Sequence, residues 1–212
     1  MNLKFLSHKE ATLFILFGVA MILLGWLFFV LALFNFFVLP VILCGTILLL
    51  CTALFFLGSY CWFSTPLVRI LVASLVVIIT INSYLSTPTL LSGRDQGAIS
   101  EAAIRLSQTS VLTYRSTAVS SFFDMYGPGL ALNFPGFAYT DKGSLITQFP
   151  LTYTSFIAGF YSLFGITGLT LANSLLLFCF LLTLFELLRL FIRPERAFIA
   201  TLVGALSFLP LY

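Results

Sequence analysis

Charge is scarce in this sequence, and the scarcity is concentrated in one long interval. Only 8% of the 212 residues are charged, against roughly 25% in soluble domains. Between Glu10 and Arg69 there is no charged side chain at all. A water-soluble fold is excluded by that deficit alone. The interval is also too long for one span, because about 20 apolar residues cross the hydrocarbon core. Two helices joined near Asn35 and Pro40 fit it, since both residues favour turns.

Other absences narrow the function. The ten cations are scattered, with a net charge of +3 and no basic run, so nucleic-acid binding has no electrostatic footprint. His8 is the one histidine. Cys44, Cys51, Cys61 and Cys179 lie in or beside apolar stretches without metal-ligand spacing. They read as buried thiols behaving as small hydrophobes and leave the redox compartment open. No HExxH, paired CxxC, Walker loop or GxSxG elbow occurs, which removes the commoner metal, nucleotide and hydrolase chemistries.

What is present is apolar: 60% hydrophobic and 17% aromatic residues, with a mean hydropathy of +1.13. Spans are expected at residues 11–34, 37–60 and 66–85, with Arg69 anchoring the start of the third. A polar region follows over 86–148. A fourth apolar segment, 149–165, is barely long enough to cross. A fifth covers 169–190, and a sixth begins near Ala197 and is still under way at Tyr212. The fold class is therefore all-α, a polytopic bundle of transmembrane helices whose external loop carries interfacial helices. The first apolar run exceeds a signal-peptide h-region and lacks a small-residue cleavage site, so a retained signal-anchor is expected.

Lys4 and Lys9 precede the first span, and Arg69 lies two spans later on the same side. The positive-inside rule then puts the N-terminus in the cytoplasm and 86–148 outside. If the fourth and fifth segments both cross, which is the expectation, Arg189, Arg193 and Arg196 fall outside, against the rule. Glu186 is the one carboxylate inside an expected span; three residues from Arg189, it reads as an i,i+3 pair at the water edge.

The charged segment Ser92-Gly93-Arg94-Asp95-Gln96-Gly97 holds most of the chemical information. From Ala98, the apolar positions Ala98, Ile99, Ala102, Ala103 and Leu106 form one helical stripe, with Ser100, Glu101, Arg105 and Gln108 on the other faces. That pattern predicts a helix lying in the headgroup–acyl boundary. Asp95 would stand at its start, where backbone N–H groups favour negative charge. Spacing alone leaves two roles open for Asp95: a helix cap, with Ser92-x-x-Asp95 as a capping-box variant, or a chemical group. Asp124–Gly129, 133–137 and 141–143 read as turns. The aromatics Phe122, Phe123, Tyr126, Phe134, Phe137 and Tyr139 crowd around them, as sugar-stacking faces or an interfacial belt.

Gly93-Arg94-Asp95-Gln96-Gly97, the Ala-rich helix after it, and Thr147-Gln148-Phe149-Pro150-Leu151 leading into a helix that ends Phe164-Gly165 resemble one family. It is that of the C-type membrane glycosyltransferases that use polyprenyl-phosphate sugars, including bacterial relatives of protein O-mannosyltransferases and of the lipid A aminoarabinose transferase. The resemblance covers roughly residues 67–210. It implies a cytoplasmic tail with two added helices over 1–65 and a transferase-like core over 66–212. It further implies transfer of a sugar from a polyprenyl-phosphate donor to an extracytoplasmic lipid, glycan or protein acceptor at a bacterial inner membrane. Asp95 would be the catalytic base. Arg94 and Arg105 would bind the donor phosphate, with membrane anchoring as their alternative. Gln96 would bond a sugar hydroxyl or simply stay solvated.

No metal ligand is assigned, and a divalent-metal requirement stays open. The family usually has one helix before the loop and continues for several more after it, so the chain is expected to be the N-terminal portion of a longer one. The competing expectation is a non-catalytic membrane protein, a packing subunit or a transporter fragment.

Overall fold

The computed structural model describes residues 8–58, 65–90, 95–131 and 133–207. Eight helices dominate it. Helix α1 spans His8–Leu33 and α2 spans Leu39–Gly58. Between them Asn35 takes a left-handed conformation (φ 58°). Phe36 N–H reaches Leu31 C=O at 2.8 Å and Asn35 N–H reaches Ala32 C=O at 3.2 Å. That bond pair is a Schellman closure, and asparagine tolerates its left-handed residue better than other non-glycine types. Pro40 falls in the first turn of α2, where its missing N–H costs nothing. The sequence-derived turn is therefore present. The described part of the expected second span ends at Gly58; Tyr60 lies outside the described residues.

Helix α3, Pro66–Leu85, matches its expected bounds. Thr65 is its N-cap residue and Pro66 its first helical position, and Ser86 N–H closes the far end on Asn82 C=O at 2.9 Å. The 20 residues rise about 30 Å, the thickness of the hydrocarbon core. Among the described residues, three helical stretches are long and apolar enough to cross a membrane: Phe14–Leu33, Pro66–Leu85 and Ile166–Arg189. The protein is on that basis a helical membrane protein.

Beyond α3 come α4 (Asp95–Thr109), strand β1 (Thr113–Tyr114), α5 (Thr117–Tyr126), β2 (Phe137–Tyr139) and β3 (Leu145–Thr147). Then follow α6 (Leu151–Phe164), α7 (Ile166–Arg189) and α8 (Pro194–Ser207). The chain divides into two compact units.

One unit holds the described residues of Met1–Leu23, Ile47–Thr87 and Thr170–Tyr212. Val68, Leu71, Leu75 and Ile79 recur every three or four residues on α3. They pack with Leu181, Leu182 and Phe185 of α7 and with Ala197 and Ala205 of α8. Phe17 meets Phe178 edge-on, ring centroids 5.5 Å apart. In lipid such contacts gain by close packing rather than by leaving water. Glu186 and Arg189 form the expected i,i+3 pair, at 3.5 Å.

The other unit holds Leu24–Thr46 and the described residues of Pro88–Leu169. Helices α4 and α6 pack along each other. Alanines 98, 102 and 103 on α4 and Ala158 with Gly159 on α6 are buried there, small enough to let backbones approach. The Ser107 and Ser162 hydroxyls share a hydrogen bond of 2.8 Å. Phe28 of α1 lies flat against Gly159: a Cβ on that glycine would stand 2.2 Å from the ring. The Ser110 hydroxyl donates to Phe37 C=O at 2.8 Å and fastens the end of α4 to the α1–α2 turn.

Two expectations need correction here. The apolar stripe of α4 buries Ala98, Ala102, Ala103 and Leu106 against protein, with Ile99 only partly covered; it does not lie bare on lipid. Periodicity shows that a face is covered, not by what. Helix α6 has 14 residues and rises about 21 Å, short of the roughly 30 Å needed. The expectation that this segment crosses is not met by a helix of that length, and its residues 154–160 are buried on every face.

A small sheet was not foreseen. Its order is β1-β3-β2, antiparallel throughout, with Tyr114 opposite Leu145 and Phe137 opposite Thr147. The expected turn at 141–143 is the hairpin between β2 and β3: Gly143 N–H bonds Thr140 C=O at 3.0 Å, and Gly143 has φ +73°. The expected turn after Asp124 begins later, because α5 continues to Tyr126 and ends on Gly127 (φ 72°).

Candidate functional site

Asp95 is the first residue of α4. Its side chain is exposed, and it makes no hydrogen bond or ion pair with any described residue. As an N-cap it would accept from the backbone N–H two or three residues on, and no such bond is present among the described residues; Ser92, its partner in the expected capping box, lies outside them. Gln96 beside it is also exposed. Arg94 lies outside the described residues.

The base under Asp95 is well packed. Gly97 and Ala98 are buried, and Gly136 presses on Ala98: a Cβ built on Gly136 would fall 2.3 Å from Ala98 Cβ. Gly136 also has φ +78°, which a branched residue resists. The Gln-Phe-Pro segment braces the same region. Gln148 donates its side-chain amide to Phe137 C=O at 3.1 Å and its backbone N–H to Gly136 C=O at 3.0 Å. Phe149 N–H then reaches the Thr147 hydroxyl at 3.3 Å, and Pro150 sits at the N-cap of α6. The motif that carried the family resemblance thus ties the sheet to the start of α6.

Arg105 lies ten residues after Asp95, about 15 Å along the helix axis, so the two do not converge at one point. Its guanidinium is already engaged. Nη2 lies 2.6 Å from Glu101 Oε1, Nε donates to the same oxygen at 2.8 Å, and the group stacks 4.0 Å over the Tyr114 ring. Glu101 and Tyr114 were not singled out from the sequence. The i,i+4 spacing of Glu101 and Arg105 was a signal for the first; two-residue β1 gave none for the second.

Below Arg105 is a small recess lined by Tyr114, Phe137, Thr147 and Thr154 with Ala102 and Leu106. Its free volume of about 10 Å³ holds about one water molecule. Burial raises the Tyr114 pKa; the nearby Arg105 charge lowers it in part, and Glu101 and Tyr139 add to the rise. The phenol therefore stays protonated through neutral pH and faces the recess neutral.

That shift has a sign. A phenol whose native pKa is raised contributes stability that is complete below the unfolded-tyrosine pKa, about 10, and is lost as pH climbs through the native value. In an alkaline absorbance titration, Tyr114→Phe should remove one late-titrating phenol. An unchanged late phase would show that Tyr114 is not the shifted group.

The aromatic residues singled out from the sequence mostly pack on one another. Phe123 and Phe134 both contact Tyr139, and Phe137 meets Tyr114 edge-on at 5.4 Å. The Tyr139 hydroxyl donates to Val119 C=O at 2.9 Å. Phe122 and Tyr126 keep exposed rings, 42% and 48%, stacked at 6.1 Å. Among the described residues no three His, Cys, Asp or Glu side chains gather as a metal site.

The chain matches no family model, no curated protein and no solved structure.

Proposed function

We propose that the chain contributes to a membrane glycosyltransferase that moves a sugar from a polyprenyl-phosphate carrier to an extracytoplasmic acceptor. The observation that carries this reading is Asp95: an exposed carboxylate without a described partner, at the head of a helix whose other face is fixed in protein. In the sequence it falls between α3 and α7, two helices long enough to cross. In the proposed step Asp95 accepts the proton of an acceptor hydroxyl while its oxygen bonds the anomeric carbon. The carbon–oxygen bond to the lipid phosphate breaks, and its electron pair leaves with the phosphate. The carboxylate also steadies positive charge growing on the sugar ring.

Gln96, exposed beside Asp95, would bond a sugar hydroxyl near that centre. Arg105 would meet the donor phosphate only by loosening its hold on Glu101, with Arg94 as the other proposed phosphate ligand. No ligands are assigned to a divalent cation, and the step is written without one.

The membrane placement belongs to the same proposal: a bacterial inner membrane, the N-terminus cytoplasmic and 86–148 outside. With α6 too short to cross, α7 returns the chain to the cytoplasm. Arg189, Arg193 and Arg196 then obey the positive-inside rule, which removes the conflict raised by the sequence.

A second reading is a non-catalytic packing subunit. It is favoured by Arg105 being already paired and by a recess with room for only about one water. The two separate in a transfer assay using a radiolabelled polyprenyl-phosphate sugar and membranes with or without the natural full-length protein. Incorporation into extracytoplasmic acceptor that depends on the protein supports the transferase. Equal incorporation in both membranes supports the packing subunit.

A further inference from the structure

The corner between α7 and α8 has no catalytic role in either reading above. Leu190, Phe191 and Ile192 are exposed there, at 55%, 76% and 38%. Arg193 and Arg196 follow, both exposed and without an ion pair to any described residue. Arg189 is committed to Glu186, so the corner's free charges are two cations and the single anion Glu195.

Water is a poor environment for three consecutive large apolar side chains, one of them the most exposed phenylalanine among the described residues. Yet the corner ends a helix of membrane-crossing length, which brings it to a bilayer surface. Apolar residues that enter the acyl boundary beside arginines that stay at the headgroups are how a chain seats on anionic lipid.

We propose that this corner is a docking surface for anionic phospholipid headgroups. Phe191 and its neighbours lie in the acyl boundary, and Arg193 and Arg196 hold lipid phosphates. Guanidinium suits that role because it pairs with two phosphate oxygens at once. The proposal does not depend on the transferase reading.

The test uses the full chain carrying Phe191→Trp, reconstituted in phosphatidylcholine vesicles. These contain a fixed mole fraction of brominated phosphatidylglycerol or brominated phosphatidylcholine, and Trp26 and Trp62 are subtracted using the unaltered chain. A tryptophan at 191 should be quenched by both lipids but more by the anionic one, with a local enrichment of about fivefold per arginine. Arg193→Gln with Arg196→Gln should erase the difference while leaving quenching by phosphatidylcholine, and added salt should shrink it. Equal quenching by the two lipids overturns the proposal, as does a preference that survives loss of both arginines. Quenching by neither also overturns it, because the corner would then be covered by something other than lipid.

Discussion

Asp95→Asn should lower sugar transfer by about 10²- to 10⁴-fold, the contribution of a positioned general base, while leaving the amount of folded protein unchanged. The substitution is nearly isosteric, and asparagine is as good at a helix start as aspartate. Asp95 is exposed and has no described partner to lose. Folding therefore has little reason to respond, and chemistry has every reason to. The loss should fall on kcat, because the base acts only as the acceptor oxygen attacks. Initial-rate kinetics on the full-length protein, alongside its thermal midpoint in detergent, read both arms. Full activity in the variant would take Asp95 out of the mechanism, and a matching fall in folded yield would make it a structural residue.

The second large effect is expected far from Asp95. Gly159→Val should abolish or severely reduce folded protein. A Cβ at 159 would stand 2.2 Å from the Phe28 ring, and Phe28 is 0% exposed, so the ring has nowhere to swing. Overpacking of a tight core costs about 1–3 kcal/mol, occasionally more, and a branched residue adds two further methyl groups. Phe28→Ala in the same chain should restore part of the loss by vacating the space, although alone it opens a cavity worth about 3–5 kcal/mol. A fluorescence size-exclusion profile of the four proteins closes the cycle. Independent, additive losses would show that the two residues do not meet.

Much of the membrane architecture is legible in the sequence, because lipid imposes a simple rule on it. The charge-free interval, with Asn35 and Pro40 near its middle, separates α1 from α2, and Arg69 marks the start of α3. The Glu186–Arg189 pair follows from helical spacing. Beyond α3 the rule weakens. Strands of two and three residues are too short to show a period of two, so β1, β2 and β3 left no pattern. The stripe on α4 announces a buried face, but alanines suit a neighbouring helix as well as a lipid surface, and the neighbour is α6, some 50 residues later. The bounds of α6 were legible to within two residues, 149–165 against Leu151–Phe164, with Gly165 (φ 63°) ending it before Ile166 starts the next helix; its burial on all sides against protein was not.

The candidate site was legible in the same uneven way. Asp95 and Gln96 stand out because charge and amide groups are rare in the chain. Arg105 stands out for the same reason, but its engagement with Glu101 and Tyr114 needs the third dimension. Gln148 was noticed as part of a motif, and the structure gives it a bracing role that a motif cannot convey.

The most direct test of the account is the side of the membrane that residue 95 faces. In a full-length protein with its native cysteines replaced, Asp95→Cys is exposed to a membrane-impermeant maleimide added outside intact cells. The account predicts rapid labelling at 95, comparable to a cysteine placed at exposed Asp141, and none at position 4 until the cells are opened. Labelling at 95 only after opening, or none under either condition, would contradict it.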